Sequence, residues 1–133
     1  MSTKIFVNLP VKDLDRSKKF FGALGYSANE EFSDENALCL VITEDIYAML
    51  LVEPFFQQFT KKGIADSGTT TEAIVALGVD SREDVDRIAD AALASGGAAS
   101  NDPMEEGAMY ARSFQDPDGH LWEVVYMDMS AAQ

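Results

Sequence analysis

The sequence predicts an α+β protein made of two tandem β-α-β-β-β modules, and three observations carry that prediction. Each half opens on a β-branched strand pattern that runs into an amphipathic helix. The halves also superpose as an internal repeat, for laying Val11 on Val79 puts Leu9 on Leu77, Val7 on Val75, Ser17 on Val85 and Phe20 on Ile88. Finally, the second half closes on Asp116-Pro117-Asp118-Gly119, a strong hairpin signal because Pro117 presets φ and Gly119 can take the positive φ that ends the turn.

Taken in order, Ile5 to Val11 alternates as a strand, with Phe6, Asn8 and Pro10 on one side and Val7, Leu9 and Val11 on the other. Pro10 cannot donate to a ladder, which favours an edge. A short helix over Asp13–Gly25 follows, with Asp13 as N-cap, Leu14, Ser17, Phe21 and Leu24 at helical spacing and Gly25 as its stop. Three strands are expected at about 27–32, 37–43 and 46–53, the last two joined by a tight turn at Glu44-Asp45. Residues 54–62 suit a turn or two of helix, and the Gly, Ser and Thr content of 63–71 reads as loop.

The second copy repeats the order. A strand over Ala73–Val79 leads to a helix from Ser81 to Ala94, with Val85, Ile88, Ala92 and Leu93 inward and Gly96-Gly97 ending it. Short strands are then expected near 98–102, 108–115 and 120–127. The result is a single domain over residues 1–133, with module one at about 4–53, a linker at 54–72 and module two at about 73–128.

Composition narrows the functional classes. Hydrophobic residues make up 47% of the 133, which is globular. No apolar run approaches the ~18 residues of a membrane span, and the start, Met1 to Ile5, has no leader-like apolar stretch, so a cytoplasmic location is expected. Ten basic against 23 acidic residues leave a net charge of −13, a field that repels nucleic acid. Cys39 lies in an apolar run and reads as core.

Glu123 is the residue to explain. In the closing strand it shares a face with Leu121, Val125 and Met127, while Trp122, Val124 and Tyr126 take the other. A carboxylate among apolar neighbours must be paired, coordinated or neutralised. If Asp116 to Gly119 are the whole turn, Gln115 faces His120 and Arg112 faces Glu123, so a guanidinium–carboxylate pair is expected. His120, by alternation, points away from Glu123.

The chain resembles the vicinal oxygen chelate superfamily, which includes glyoxalase I, bleomycin resistance proteins and extradiol dioxygenases, and within it the lactoylglutathione-lyase-like branch. The residues that carry the likeness are Val11-Lys12-Asp13-Leu14-Asp15-Arg16-Ser17 with Phe20-Phe21, and Asp116-Pro117-Asp118-Gly119 with Glu123 four residues on. The resemblance implies a cupped, incomplete barrel. In metal-using relatives four side chains hold a divalent ion, and their positions here fall on Phe6, Leu50, Ile74 and Glu123. One oxygen donor in four is no site for zinc or magnesium-like ions.

The expected function is therefore metal-free binding of a small molecule, in the style of the bleomycin resistance proteins. Its ligand-binding residues would be Phe6, Asn8, Leu50, Ile74, Arg112 and Glu123, with no cofactor and no nucleic-acid or membrane partner. The resemblance also implies a homodimer, since two-module relatives generally complete their cups across chains. Two alternatives stay open: a metal-dependent lyase or dioxygenase using unaligned ligands such as Asn8 and Glu123, and a metal-free acid/base enzyme with Glu123 as base.

Overall fold

The computed structural model describes residues 3–128, so the first two residues, on which the leaderless reading partly rests, lie outside it. The chain divides into two compact units that meet between Ala65 and Asp66, inside the expected linker. The α+β class holds, with one sheet in each unit.

In the first unit β1 (Ile5–Val11), α1 (Leu14–Ala23), β2 (Ser27–Ala28), β3 (Ala37–Val41), β4 (Ile46–Val52) and α2 (Glu53–Phe56) follow one another. Their sheet runs β1-β4-β3-β2, with β1 parallel to β4 and the other pairs antiparallel. Pro10 thus sits on an edge strand, where its missing N–H is harmless. The Asp13 carboxylate accepts the Arg16 N–H at 3.1 Å and starts α1, a cap that contributes about 1 kcal/mol. Phe20, Phe21 and Leu24 of this segment are buried, each side chain adding about 1.5–3 kcal/mol of transfer free energy.

The expected strand at 27–32 is cut to two residues. Asn29 accepts the Glu31 N–H at 3.0 Å through its side chain and turns the chain into a single 3-10 turn over Glu30–Phe32, the local competition with the ladder that Asn offers. The β3–β4 connection is likewise longer than Glu44-Asp45. The Thr43 hydroxyl accepts the Asp45 N–H at 3.2 Å, and the Ile42 and Thr43 N–H groups both donate to the Ile46 carbonyl.

The second unit contains β5 (Ile74–Val79), α3 (Arg82–Ala94), β6 (Ala98–Ala99), β7 (Met104–Glu106), β8 (Met109–Gln115) and β9 (Leu121–Met127). The order is β5-β9-β8-β6, with β7 also on β8, and β5 is parallel to β9 as β1 is to β4. The repeat read from the sequence is thus a repeat of topology. Ser81 caps α3 by accepting the Asp84 N–H, and Val85, Ile88, Ala89 and Ala92 are its buried face. Leu93, expected inward, is 41% exposed, because Ala89 continues the Val85–Ile88–Ala92 stripe and leaves Leu93 on its flank. The strand β7 was not expected; it pairs with β8 across a turn in which Gly107 has φ of 59°.

Candidate functional site

The hairpin between β8 and β9 positions everything at the site, and it is built on Asp116. This carboxylate is 4% exposed. Its Oδ1 accepts the backbone N–H groups of Asp118 at 2.9 Å and His120 at 3.0 Å, and its Oδ2 accepts the indole N–H of Trp122 at 2.9 Å. The Asp116 N–H in turn donates to the His120 carbonyl. Burial pushes the Asp116 carboxyl above its usual range, against the opposing pull of His120 and the hydrogen bonds from Trp122, His120 and Asp118.

That anchoring makes the turn five residues long, Asp116 to His120, and it shifts the register by one. Gln115 faces Leu121, Ser113 faces Glu123 and Arg112 faces Val124. The expected pair of Arg112 with Glu123 is therefore not made, for Arg112 lies on the other face of the sheet. There its Nη1 meets Asp90 at 2.9 Å and Asp86 at 3.0 Å, both on α3. Asp86 also accepts the Tyr110 hydroxyl at 2.6 Å, and the hydrogen bond from Tyr110 leads the causes that hold the Asp86 carboxyl below its ordinary range. Arg82 covers the Tyr110 ring with 4.2 Å from its guanidinium carbon to the centroid and pairs with Glu105 at 2.6 Å. This network ties α3 to β7 and β8.

On the other face, the parallel pairing of β5 with β9 places Ile74 opposite Leu121, Ala76 opposite Glu123 and Gly78 opposite Val125. With Ser113 on the far side, Glu123 stands between Ala76 and Ser113. Ile74 is 56% exposed, and a Cβ on Gly78 would meet nothing within 4 Å. The floor is open and built of small residues. Glu123 itself is half-buried, and among the described residues its carboxylate has no hydrogen-bond or ion-pair partner. Ile74 and Glu123 thus share one face.

At the turn end of this face lies a hollow of about 140 Å³, lined by Gln115 and Leu121 of the hairpin, Gly119 of its turn, Ser100, and the loop of residues 67–71. Sequence reasoning treated that loop as linker. It is fixed to the turn: the Ser67 hydroxyl donates to the Asp118 carbonyl at 2.6 Å. Gly119, with φ of 90°, lies so close that a Cβ there would stand 2.5 Å from the Ser67 carbonyl oxygen. The signal for it was a run of hydroxyl residues that lies 51 positions from the Asp-Pro-Asp-Gly turn, counted from Ser67 to Asp118, and has no meaning until the fold brings the two together.

In the first unit Phe6 and Asn8 share a face with Tyr47 and Met49, their partners on β4. Phe6 stacks on Tyr47 with ring centroids 4.8 Å apart, and the Asn8 side-chain amide donates to the Phe6 carbonyl at 3.2 Å. Leu50 does not join them. It is opposite Leu9 and Leu38 and fully buried, since the period-two alternation of β4 sends it to the core face.

The divalent-ion site that the resemblance implies does not fit these residues. Phe6 and Ile74 are apolar, Leu50 faces the core, and the residue that shares Phe6's face next along β4 is Met49, a thioether. Among the described residues no three His, Cys, Asp or Glu side chains gather as a metal would need.

Comparison with known proteins agrees with the fold. Residues 3–43 match the family described as bleomycin resistance protein-like N-terminal. The structure of the hypothetical protein SA1046 from S. aureus is similar over 95% of this chain and 94% of that one, at 26% identity and a TM-score of 0.79. A glyoxalase/bleomycin resistance protein/dioxygenase family enzyme from Burkholderia phytofirmans is similar at 17% identity over 95% and 99% of the two chains, with a TM-score of 0.77. The bleomycin resistance determinant encoded on the transposon Tn5 is similar at 18% identity over 96% and 99%, with a TM-score of 0.67. No curated protein matches the chain. The fold is that of the glyoxalase and bleomycin resistance proteins.

Proposed function

We propose that the protein binds a small molecule without a metal, on the open face formed by β5, β9 and β8, and that Glu123 is the polar anchor of that site. One observation carries the reading: a half-buried carboxylate stands without a partner among the described residues, on a sheet face whose neighbours are Ala76, Gly78 and the exposed Ile74. A buried-side carboxylate without a partner is costly, and an apolar surface with one polar group on it is what ligand sites look like. The net charge of −13 adds a field that favours a cationic ligand.

The lactoylglutathione-lyase and dioxygenase alternatives need an ion to polarise substrate oxygens, and the donor set of Phe6, Met49, Ile74 and Glu123 offers it no cage. A cytoplasmic homodimer belongs to the same reading. Its support is the edge strand β1, which exposes Ile5 at 52% and Phe6 at 51%, a surface that soluble monomers tend to avoid. A monomer at micromolar concentration in sedimentation would remove the dimer.

The deciding experiment is a thermal-shift screen of small amines against the protein and its Glu123→Gln variant, with metal analysis of protein purified without chelator. Ligand at a hundredfold over its Kd adds about 2.7 kcal/mol, a rise of several degrees in midpoint. The rise is expected in the native protein and is expected to be lost in Glu123→Gln. A stoichiometric transition metal on Glu123, or amine stabilisation that survives Glu123→Gln, defeats the reading.

A further inference from the structure

We infer that the hollow beside the Glu123 face takes the hydroxyl-bearing part of a small amino sugar or amino polyol, whose amine reaches Glu123; the inference rests on the reading of Glu123 as ligand anchor. The hollow and the carboxylate belong to one surface. Gln115 and Leu121 line the hollow, and their pair is the neighbour of the Ser113–Glu123 pair on the face that carries Glu123, the intervening Phe114–Trp122 pair belonging to the other face. From Leu121 to Glu123 is two residues along a strand, about 7 Å.

The lining determines what fits. Ser67, Thr71, Ser100 and Gln115 bring hydroxyls and an amide and no charge. With a net charge of −13 and no cation in the lining, an anion has nothing to hold it. An apolar group would strip these polar groups of water without replacing the hydrogen bonds. The available valences suit hydroxyl groups. Gln115 commits its amide N–H to the Ala99 carbonyl at 3.1 Å, which leaves its Oε1 as an acceptor. Ser67 donates to Asp118 and keeps its oxygen lone pairs. Thr71 and Ser100 make no hydrogen bond through their side chains among the described residues and can donate or accept.

The wall is also preformed. Asp66 accepts the N–H groups of Thr69 and Thr70 through its carbonyl and that of Gly68 through its carboxylate, and the Gly119 contact seats the loop on the turn. A cavity of about 140 Å³ is well above the space of one water. Binding there needs no ordering of the loop, which preserves affinity.

The test uses three probes on the full chain, by titration with heteronuclear NMR: D-glucosamine, which has both parts, cyclohexylamine, which has the amine, and glucose, which has the hydroxyls. Glucosamine is expected to bind about tenfold more tightly than cyclohexylamine, the worth of one or two hydrogen bonds, with shifts at Ser100, Gln115 and Glu123. In a Thr71→Val/Ser100→Ala double variant its affinity is expected to fall to the level of cyclohexylamine. Thr71 is exposed and Ser100 half-buried, so the fold tolerates both changes. If glucosamine binds no better than cyclohexylamine while both need Glu123, the hollow is not a hydroxyl subsite and the inference falls alone. If no amine binds in a Glu123-dependent way, it falls together with the reading of Glu123.

Discussion

The carboxylate of Asp116 accepts the indole N–H of Trp122 at 2.9 Å, and both residues are buried. The same carboxylate accepts two backbone N–H groups of its own turn, so one side chain sets the length of the hairpin loop and holds the aromatic core residue of β9. Asp116→Asn is expected to destabilise the protein by about 1–3 kcal/mol, because the amide NH₂ must face one of these donors and leave it unsatisfied. Urea denaturation measures this, and a change within ~0.5 kcal/mol, the size of an ordinary surface substitution, would show that the network does not hold the hairpin.

Gly119 and Ser67 give a second prediction. Alanine at 119 must keep φ near 90° and place its Cβ 2.5 Å from the Ser67 carbonyl oxygen, so the loop has to move. Gly119→Ala is expected to lose about 1–3 kcal/mol and to open residues 66–71 to limited proteolysis. Ser67→Ala, which removes only the hydrogen bond to Asp118, is expected to cost about 1 kcal/mol without that opening. Equal cleavage of the two variants would contradict the steric account.

Much of the fold was legible because it rests on periodicity. The strand at Ile5–Val11, both capped helices and the repeat all follow from side-chain alternation and cap residues that act locally. Arg112 was misplaced for a reason outside periodicity. Alternation says which residues of a strand share a face, but the pairing register depends on turn length, and that was set by the bonds between Asp116 and His120, which extend the turn one residue beyond the Asp-Pro-Asp-Gly signal. Leu50 was misplaced because an unbroken apolar run, Ala48 to Val52, carries no alternation from which to read a face. Glu123 was placed by the alternation of its own strand, whereas the position of Ile74 came only from the family resemblance, since Ala73 to Val79 holds no polar residue that would mark a face.

Ser17 departs from the repeat in a way that predicts a gain. It occupies the buried helix position that Val85 fills in the second unit, and its hydroxyl has no partner among the described residues. Ser17→Ala is expected to stabilise the protein by about 0.5–1 kcal/mol by removing an unsatisfied buried group. A loss of stability would mean that a bound water satisfies the hydroxyl.

The ion pairs of Arg112 carry a pH dependence whose sign is fixed. The Asp86 carboxyl is held below its ordinary 3.8, chiefly by the Tyr110 hydroxyl and then by Arg112. A depressed carboxyl stabilises the fold above its unfolded pKa and loses that contribution as pH falls through the folded value. The stability difference between the protein and Asp86→Asn is therefore expected to be constant near neutral pH and to shrink below about pH 4. Because the Asp86 side chain is 49% exposed, the plateau should be no more than about 1 kcal/mol. A difference that grows on acidification would reverse the assignment.

The last prediction separates binding from stability at Glu123. Its neighbours across the strands are Ala76 and Ser113, neither of which brings a charge to it, and the cation expected to balance it, Arg112, is committed to Asp86 and Asp90 on the opposite face. A carboxyl group held half-buried without a partner is costly to the folded state. Residues placed for a ligand commonly carry that cost, and relieving it stabilises by about 0.5–2 kcal/mol. Glu123→Gln keeps the shape and removes the charge, so it is expected to raise the denaturation midpoint while abolishing amine binding. Glu123→Leu should raise it further by continuing the apolar face of Leu121 and Val125. A structural carboxylate would behave in the opposite way: if both variants lose more than about 1 kcal/mol, Glu123 has a partner that holds the sheet together, and its exposure on that face would not be there for a ligand.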